Sequence, residues 1–283
     1  MSTLRLLGGR LVGESDRISS DWGGDFGRFV DAVAAAIPVA DARTDYVTYR
    51  RDKVGVGTPY LQGVPSMFER TLVAEVMPIV ARDERLSIQT WEPEVAFKNL
   101  PYGSKLMPRC DVVLRLHGEA REEWAIQFKR IQFVGDNGKN NDYGFQKLFS
   151  PYLKDRSLLH DCQSLRDSGL GTRQFVVVYC FRHSLELLAE AEKIHPEHRD
   201  RIAAARKVCM REPSERLDPE HVAELVNEVL RFKGLVSDYR AAGFEGAWRH
   251  PCGGSGLVFG WEVTPSGIRA VGEDPAVLPK LPF

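Results

Sequence analysis

Three residues within "CDVVLRLHGEAREEWAIQFKRI", positions 110–131, have types and spacing that suit chemistry: Asp111, Gln127 and Lys129. Each interrupts a run that otherwise reads as core. Side chains of an extended strand alternate faces, so Gln127 and Lys129 share one side with Ala125, while Trp124, Ile126 and Phe128 share the other. In the preceding run, Asp111, Val113 and Arg115 oppose Val112, Leu114 and Leu116. The polar stretch "HGEAREE", with Gly118, predicts a hairpin connection. A hairpin in the matching register brings Asp111 towards Gln127 and Lys129, placing a carboxylate, an amide oxygen and an ammonium together. Phosphodiester hydrolysis uses that set. A divalent cation needs only a few protein oxygens because Mg²⁺ keeps most of its coordination sphere for water and substrate phosphate. A positive group is needed where transition-state charge accumulates.

The elements that must position these residues flank them. "PSMFERTLVAEVMP" predicts a helix with Ser66 as N-cap, Glu69 closing a capping box three residues later, and Pro78 ending or kinking it. Phe68, Leu72, Val73 and Val76 form its apolar stripe. "RLSIQTWEPEVAF" alternates as a strand, "KNLPYGSKLMPR" is a loop carrying Lys98, Lys105 and Arg109, and "QFVVVYCF" is a later core strand.

In this order, the helix "MFERTLVAEVM", the Asp in "PRCDVVLRL" and the "QFK" of "IQFKRI" resemble the PD-(D/E)XK nuclease superfamily, the fold of many restriction and repair endonucleases. The Gln variant is most similar to Mrr-type restriction nucleases. The resemblance covers roughly residues 66 to 181. It implies an α/β fold: a restriction endonuclease-like core with a central mixed β-sheet flanked by helices, plus helical and small β C-terminal additions. It also implies Asp111 as principal metal ligand, Gln127 as second oxygen donor and Lys129 as the residue that orients or activates water and stabilises phosphate charge. Glu69 becomes a helix carboxylate supporting the metal shell. Mg²⁺ is the implied cofactor, with Mn²⁺ able to substitute, and double-stranded DNA the implied partner. Cutting both strands implies a homodimer. The chain departs from the Mrr pattern in having Pro108, Arg109 and Cys110 before Asp111, without the glycines common there, and no Mrr-type winged-helix targeting domain stands at the N-terminus.

Blander readings compete at each position. Glu69 serves either the capping box or the site. Gln127 and Lys129 alone read as the exposed face of an edge strand, where lysine discourages aggregation; with Asp111 and the helix signature they read as a site. Arg50, Arg51 and Lys53 in "TYRRDKV" form either a DNA-contacting arm or a solvated loop. Arg130 suits either a phosphate or a strand end, and Lys139 with Asn140 and Asn141 has backbone-contact chemistry that surface loops share. Lys105 and Arg109 complete the candidate nucleic-acid contacts.

Outside this region, residues 1–65 read as an N-terminal extension whose helix "FGRFVDAVAAAIP" ends at Pro38 and offers a cap or a dimer contact. Residues 182–283 read as a helical accessory region. Its helix "LDPEHVAELVNEVLRFKG" is capped by Asp218, with Pro219 at the first position and Gly234 as the stop. "GLVFGWEVTPSGIRAV" reads as a hairpin turning at Pro265 to Gly267.

Bulk properties exclude other classes. A net charge of −1 leaves nucleic-acid binding to a local surface. Five cysteines without a C-x-x-C pair suggest a reducing compartment. The early Arg5, Gly8, Gly9 and Arg10 interrupt any secretory signal, and no apolar run reaches the length of a spanning helix, so a cytoplasmic protein with no membrane partner is expected. The histidines show no paired zinc spacing, and no P-loop is present. The leading expectation is a Mg²⁺-dependent DNA endonuclease in restriction or anti-phage defence. A nucleic-acid-binding module of the same fold that lost cleavage, suggested by the neutral Gln127, and an RNA-cleaving nuclease are the alternatives.

Overall fold

The structure, a computed structural model, describes residues 24–45, 47, 49–52, 55–97, 109–117, 122–139, 148–149, 157–211 and 217–265, with backbone alone for 49–52 and 55–59. The first helix, α1, runs Gly24–Arg43, and strands β1 (Tyr49–Asp52) and β2 (Gly55–Pro59) form a separate antiparallel pair. Then follow α2 (Glu69–Val80), β3 (Ile88–Ala96), β4 (Arg109–Leu116), β5 (Glu123–Ile131), α3 (Leu158–Ser168) and β6 (Arg173–Phe181). The chain continues through α4 (Leu185–Ile194), α5 (Arg199–Arg211), α6 (Pro219–Phe232), β7 (Val236–Ala247) and β8 (Gly254–Val263).

Six strands form one mixed open sheet in the order β3-β4-β5-β6-β8-β7. Only the β5–β6 pair is parallel. A parallel pair requires a crossover, and α3 supplies it. Alternation divides the side chains between two cores. Val112, Leu114, Trp124, Ile126, Phe128, Phe175 and Val177 face α1 and α2. Val113, Ala125, Val176 and Val178 face α3 to α6. The central strand β6 is buried on both faces, which its unbroken "FVVVYCF" run foreshadows.

Three expectations about local structure are corrected. Helix α1 does not end at Pro38 but continues to Arg43. The proline forfeits a backbone donor, yet Ile37 and Ala40 on either side are fully buried, so packing holds the helix through the defect. Nor is α1 a peripheral cap: Phe26 stacks on Phe175 with ring centroids 4.3 Å apart, and Phe29 meets Trp124 edge-on. Its apolar face is spent inside the molecule. The Ser66 cap is not formed either. Ser66 lies in a short 3-10 turn, its hydroxyl donates to Asp136 at 3.0 Å, and α2 starts at Glu69 with Phe68 at the N-cap and no side-chain cap. Helix α2 also passes through Pro78 to Val80. Third, "GLVFGWEV" is not one arm of a hairpin about Pro265 but a single strand, β8, paired with β6 on one side and β7 on the other. Gly267 lies outside the described residues. The Asp218 cap does form, its carboxylate accepting from the Glu220 N–H, and Gly234 takes a left-handed φ of 61° after the helix.

Candidate functional site

The chemistry-bearing residues meet at the end of the sheet where β4 begins and β5 finishes. The β4–β5 ladder runs from Arg115↔Glu123 to Val112↔Ile126, which places Asp111 opposite Gln127. There the links become side-chain links. The Asp111 N–H donates to Gln127 Oε1 at 3.3 Å, and the Phe128 N–H donates to Asp111 Oδ2 at 2.7 Å. The strand is irregular at this point: Cys110 packs in the same core as Val113, so strict alternation fails around Asp111. On the other neighbour, β3, Pro93 pairs with Val112 and Val95 with Cys110. Glu94 falls between them with φ of 54°, a left-handed conformation that a non-glycine residue adopts at a cost.

Lys129 projects from the far end of β5 and is 5% exposed. Its ammonium lies 2.7 Å from Asp161 Oδ2 and 3.9 Å from Glu69 Oε2. Both carboxylates come from helix starts. Glu69 is the first residue of α2, and Asp161 is in the first turn of α3. Glu69 Oε1 also accepts the Arg130 N–H at 3.0 Å, tying α2 to the strand end. Arg130 Nη1 donates to the carbonyls of Pro65 and Met67 and so anchors the segment leading into α2. Behind the site on β6, the buried Tyr179 hydroxyl finds no hydrogen-bond partner among the described residues.

Three carboxylates around one buried ammonium leave the site short of positive charge. Burial pushes the Asp111 carboxyl up to about 7; the Phe128 N–H opposes this, while Asp161 and Glu69 add to it and Lys129 subtracts. Burial likewise raises Asp161 above the usual carboxylate range, against the pull of Lys129. Burial works against the Lys129 ammonium, but Asp161, Glu69 and Asp111 outweigh it and hold its pKa above the ordinary lysine value.

Asp111, Gln127, Lys129 and Glu69 lie at one end of the sheet; the hairpin register leads to this for the first three, and Glu69 is expected there only from the resemblance. The candidate nucleic-acid contacts are scattered. Arg50 and Arg51 belong to the backbone of β1, apart from the main sheet. Lys53, Lys98, Lys105, Asn140 and Asn141 lie outside the described residues. Arg109 is exposed at the start of β4, Lys139 is exposed after β5, and Arg130 is engaged with backbone carbonyls. Asp161 escaped the sequence reading. Its signal was there: Leu158, Asp161, Cys162 and Leu165 share one helical face, so the acid stands on an apolar stripe.

Asp111 and Gln127 Oε1 offer two hard oxygen donors on adjacent strands, the kind of ligand Mg²⁺ takes with water and phosphate completing the shell. Among the described residues no three His, Cys, Asp or Glu side chains form a group that could hold a metal by themselves. Glu69 accepts the Arg130 N–H through one oxygen and faces Lys129 with the other. Among the described residues no helix is long and apolar enough to cross a membrane. No family model, curated protein or solved structure matches the chain.

Proposed function

We propose that the chain is a Mg²⁺-dependent endonuclease that hydrolyses DNA phosphodiesters, with a restriction endonuclease-like core. Supporting the core is its order, α2-β3-β4-β5-α3-β6, three antiparallel strands followed by a helical crossover to a parallel fourth. Supporting the activity, above all, is one observation: Asp111 and Gln127 stand opposite each other where the ladder gives way, with Lys129 two residues further along β5.

In this reading Asp111 and Gln127 would hold Mg²⁺, which when bound would supply polarisation of the phosphate and activation of water. Lys129 stays an ammonium and offsets charge on the phosphate oxygens as the bond to the leaving oxygen breaks. The Phe128 N–H fixes one Asp111 oxygen, so the carboxylate is oriented before substrate arrives. A homodimer places two such sites on opposite strands of a duplex, and Mn²⁺ substitutes for Mg²⁺. The biological setting that fits such an activity is restriction or anti-phage defence.

A second reading, a binding module without cleavage, is favoured by Gln127: its oxygen already accepts from the Asp111 N–H, and it carries no charge with which to hold a cation. Incubation with supercoiled plasmid, and in parallel with RNA, separates the readings. Metal-dependent nicking that falls at least about 100-fold in Asp111→Ala and Lys129→Ala is the expected result. DNA binding with no metal-dependent nicking overturns the nuclease in favour of the module, and cleavage of RNA alone changes the substrate.

A further inference from the structure

We propose that Asp161 is the positioning residue for Lys129, fixing its ammonium at the phosphate side of the site; this rests on the nuclease reading. Lysine carries four methylenes and ordinarily samples many rotamers. Here the side chain is 7% exposed, and its ammonium is drawn from two sides, by Asp161 at 2.7 Å and Glu69 at 3.9 Å. The shorter contact is a close buried ion pair whose angles fall short of a hydrogen bond, so charge is what draws the ammonium to Asp161. The two acids reach it from helices packed on opposite faces of the sheet, α2 with one core and α3 with the other.

The start of α3, which carries Asp161, is firmly seated. Ser157 caps α3, its hydroxyl accepting the His160 N–H at 3.3 Å and lying 2.9 Å from His160 Nδ1. Leu158, Cys162 and Leu165 on the same face are fully buried. An acid at position 161 interrupts that apolar face, and a buried ion pair is commonly no more stabilising than apolar side chains of similar volume. Packing alone thus gives no reason for an aspartate there. The lysine two strand positions from Gln127 does, because a mobile ammonium would sample positions off the line of the reacting phosphate.

Asp161→Asn keeps the shape and removes the charge. With Mg²⁺ and plasmid, this variant is expected to lower kcat by roughly 10- to 100-fold, the loss that a misplacement of about 1 Å brings, with KM changed less than about 2-fold. Lys129→Met combined with Asp161→Asn is expected to be no slower than Lys129→Met alone, since the acid then has nothing to place. Asp161→Glu restores part of the rate. Urea denaturation supplies a readout that needs no cleavage: each single variant lowers the midpoint, and the double recovers part of the loss. A kcat for Asp161→Asn within about 2-fold of wild type, or rate losses that multiply in the double variant, overturns the positioning role. If the wild-type protein cleaves nothing, the nuclease reading falls by itself; denaturation effects that then simply add overturn the Asp161–Lys129 coupling as well.

Discussion

Asp111 carries its charge at a cost to the fold. Its carboxyl is pushed by burial, and further by Asp161 and Glu69, from the ordinary 3.8 to about 7. Between those values the native protein holds a proton that the unfolded chain has released, so this contribution to stability is present below pH 4 and is lost as pH rises to 7. Asp111→Asn keeps an oxygen for the Phe128 N–H and removes the charge. The variant should therefore be inactive yet more stable than wild type by about 2 kcal/mol at pH 8, allowing for the solvent that the partly exposed carboxyl retains, and equal to it near pH 4. Urea midpoints at pH 4, 6 and 8 measure this. A constant difference across that range, or a destabilised variant at pH 8, would falsify the assignment of strain to this carboxylate. Added Mg²⁺ should narrow the gap, because a cation binds only the ionised form.

At the scale of elements, the placement of α3 decides where Asp161 sits, and a glycine turn sets that placement. Gly169 closes α3 with φ of 64°, and Gly171 follows with φ of 69°. A Cβ at Gly171 would stand 2.8 Å from the Glu123 carbonyl oxygen and 2.9 Å from the Ala125 nitrogen, both backbone atoms of β5. Gly171→Ala is accordingly expected to destabilise by about 2–3 kcal/mol, combining left-handed strain with the clash. A urea midpoint within error of wild type would show that the turn is not tight. Much of this region was legible beforehand. The β4–β5 hairpin carries a period of two except around Asp111, α2 carries one of 3.6, and the Asp218, Pro219 and Gly234 signals bound α6 correctly. Asp161 was not legible as a partner of Lys129, because the link between β5 and α3 has no period that fixes where the helix lands. The Ser66 cap misled for a similar reason: its hydroxyl goes to Asp136, 70 residues away, a competitor that local sequence does not display. The same Asp136 oxygen accepts from the Leu61 N–H and lies 3.0 Å from His250 Nε2, so the approach to α2 is held by tertiary contacts.

At the scale of the molecule, the region that reads as a C-terminal accessory completes the sheet with β7 and β8, and the N-terminal α1 covers one of its faces. Strand β8 lies along the other edge of β6, and Arg173 on β6 makes a two-point pair with Glu262 on β8, both contacts 2.8 Å, while its guanidinium covers Phe175 at 5.0 Å. Long-range pairing of this kind joins residues nearly ninety positions apart, beyond any local pattern. The site therefore sits on a sheet that β7 and β8 extend and α1 covers on one face. On the nuclease reading proposed above, charge would govern how nucleic acid reaches it. A net charge of −1 provides no long-range attraction, and the site itself holds Asp111, Glu69 and Asp161 against Lys129. On the nuclease reading, phosphate would have to come to a carboxylate-rich centre that a divalent cation would first offset. Binding of a short DNA duplex, followed by fluorescence anisotropy with Ca²⁺ as a non-cleaving cation, should then weaken sharply when Ca²⁺ is withdrawn. Its dependence on monovalent salt should be shallow, with a log–log slope no steeper than about −4, corresponding to about four phosphate contacts. A slope near −8, or affinity unchanged by Ca²⁺, would place the main DNA contacts on a basic surface away from Asp111, because only a broad array of lysine and arginine releases that many counterions.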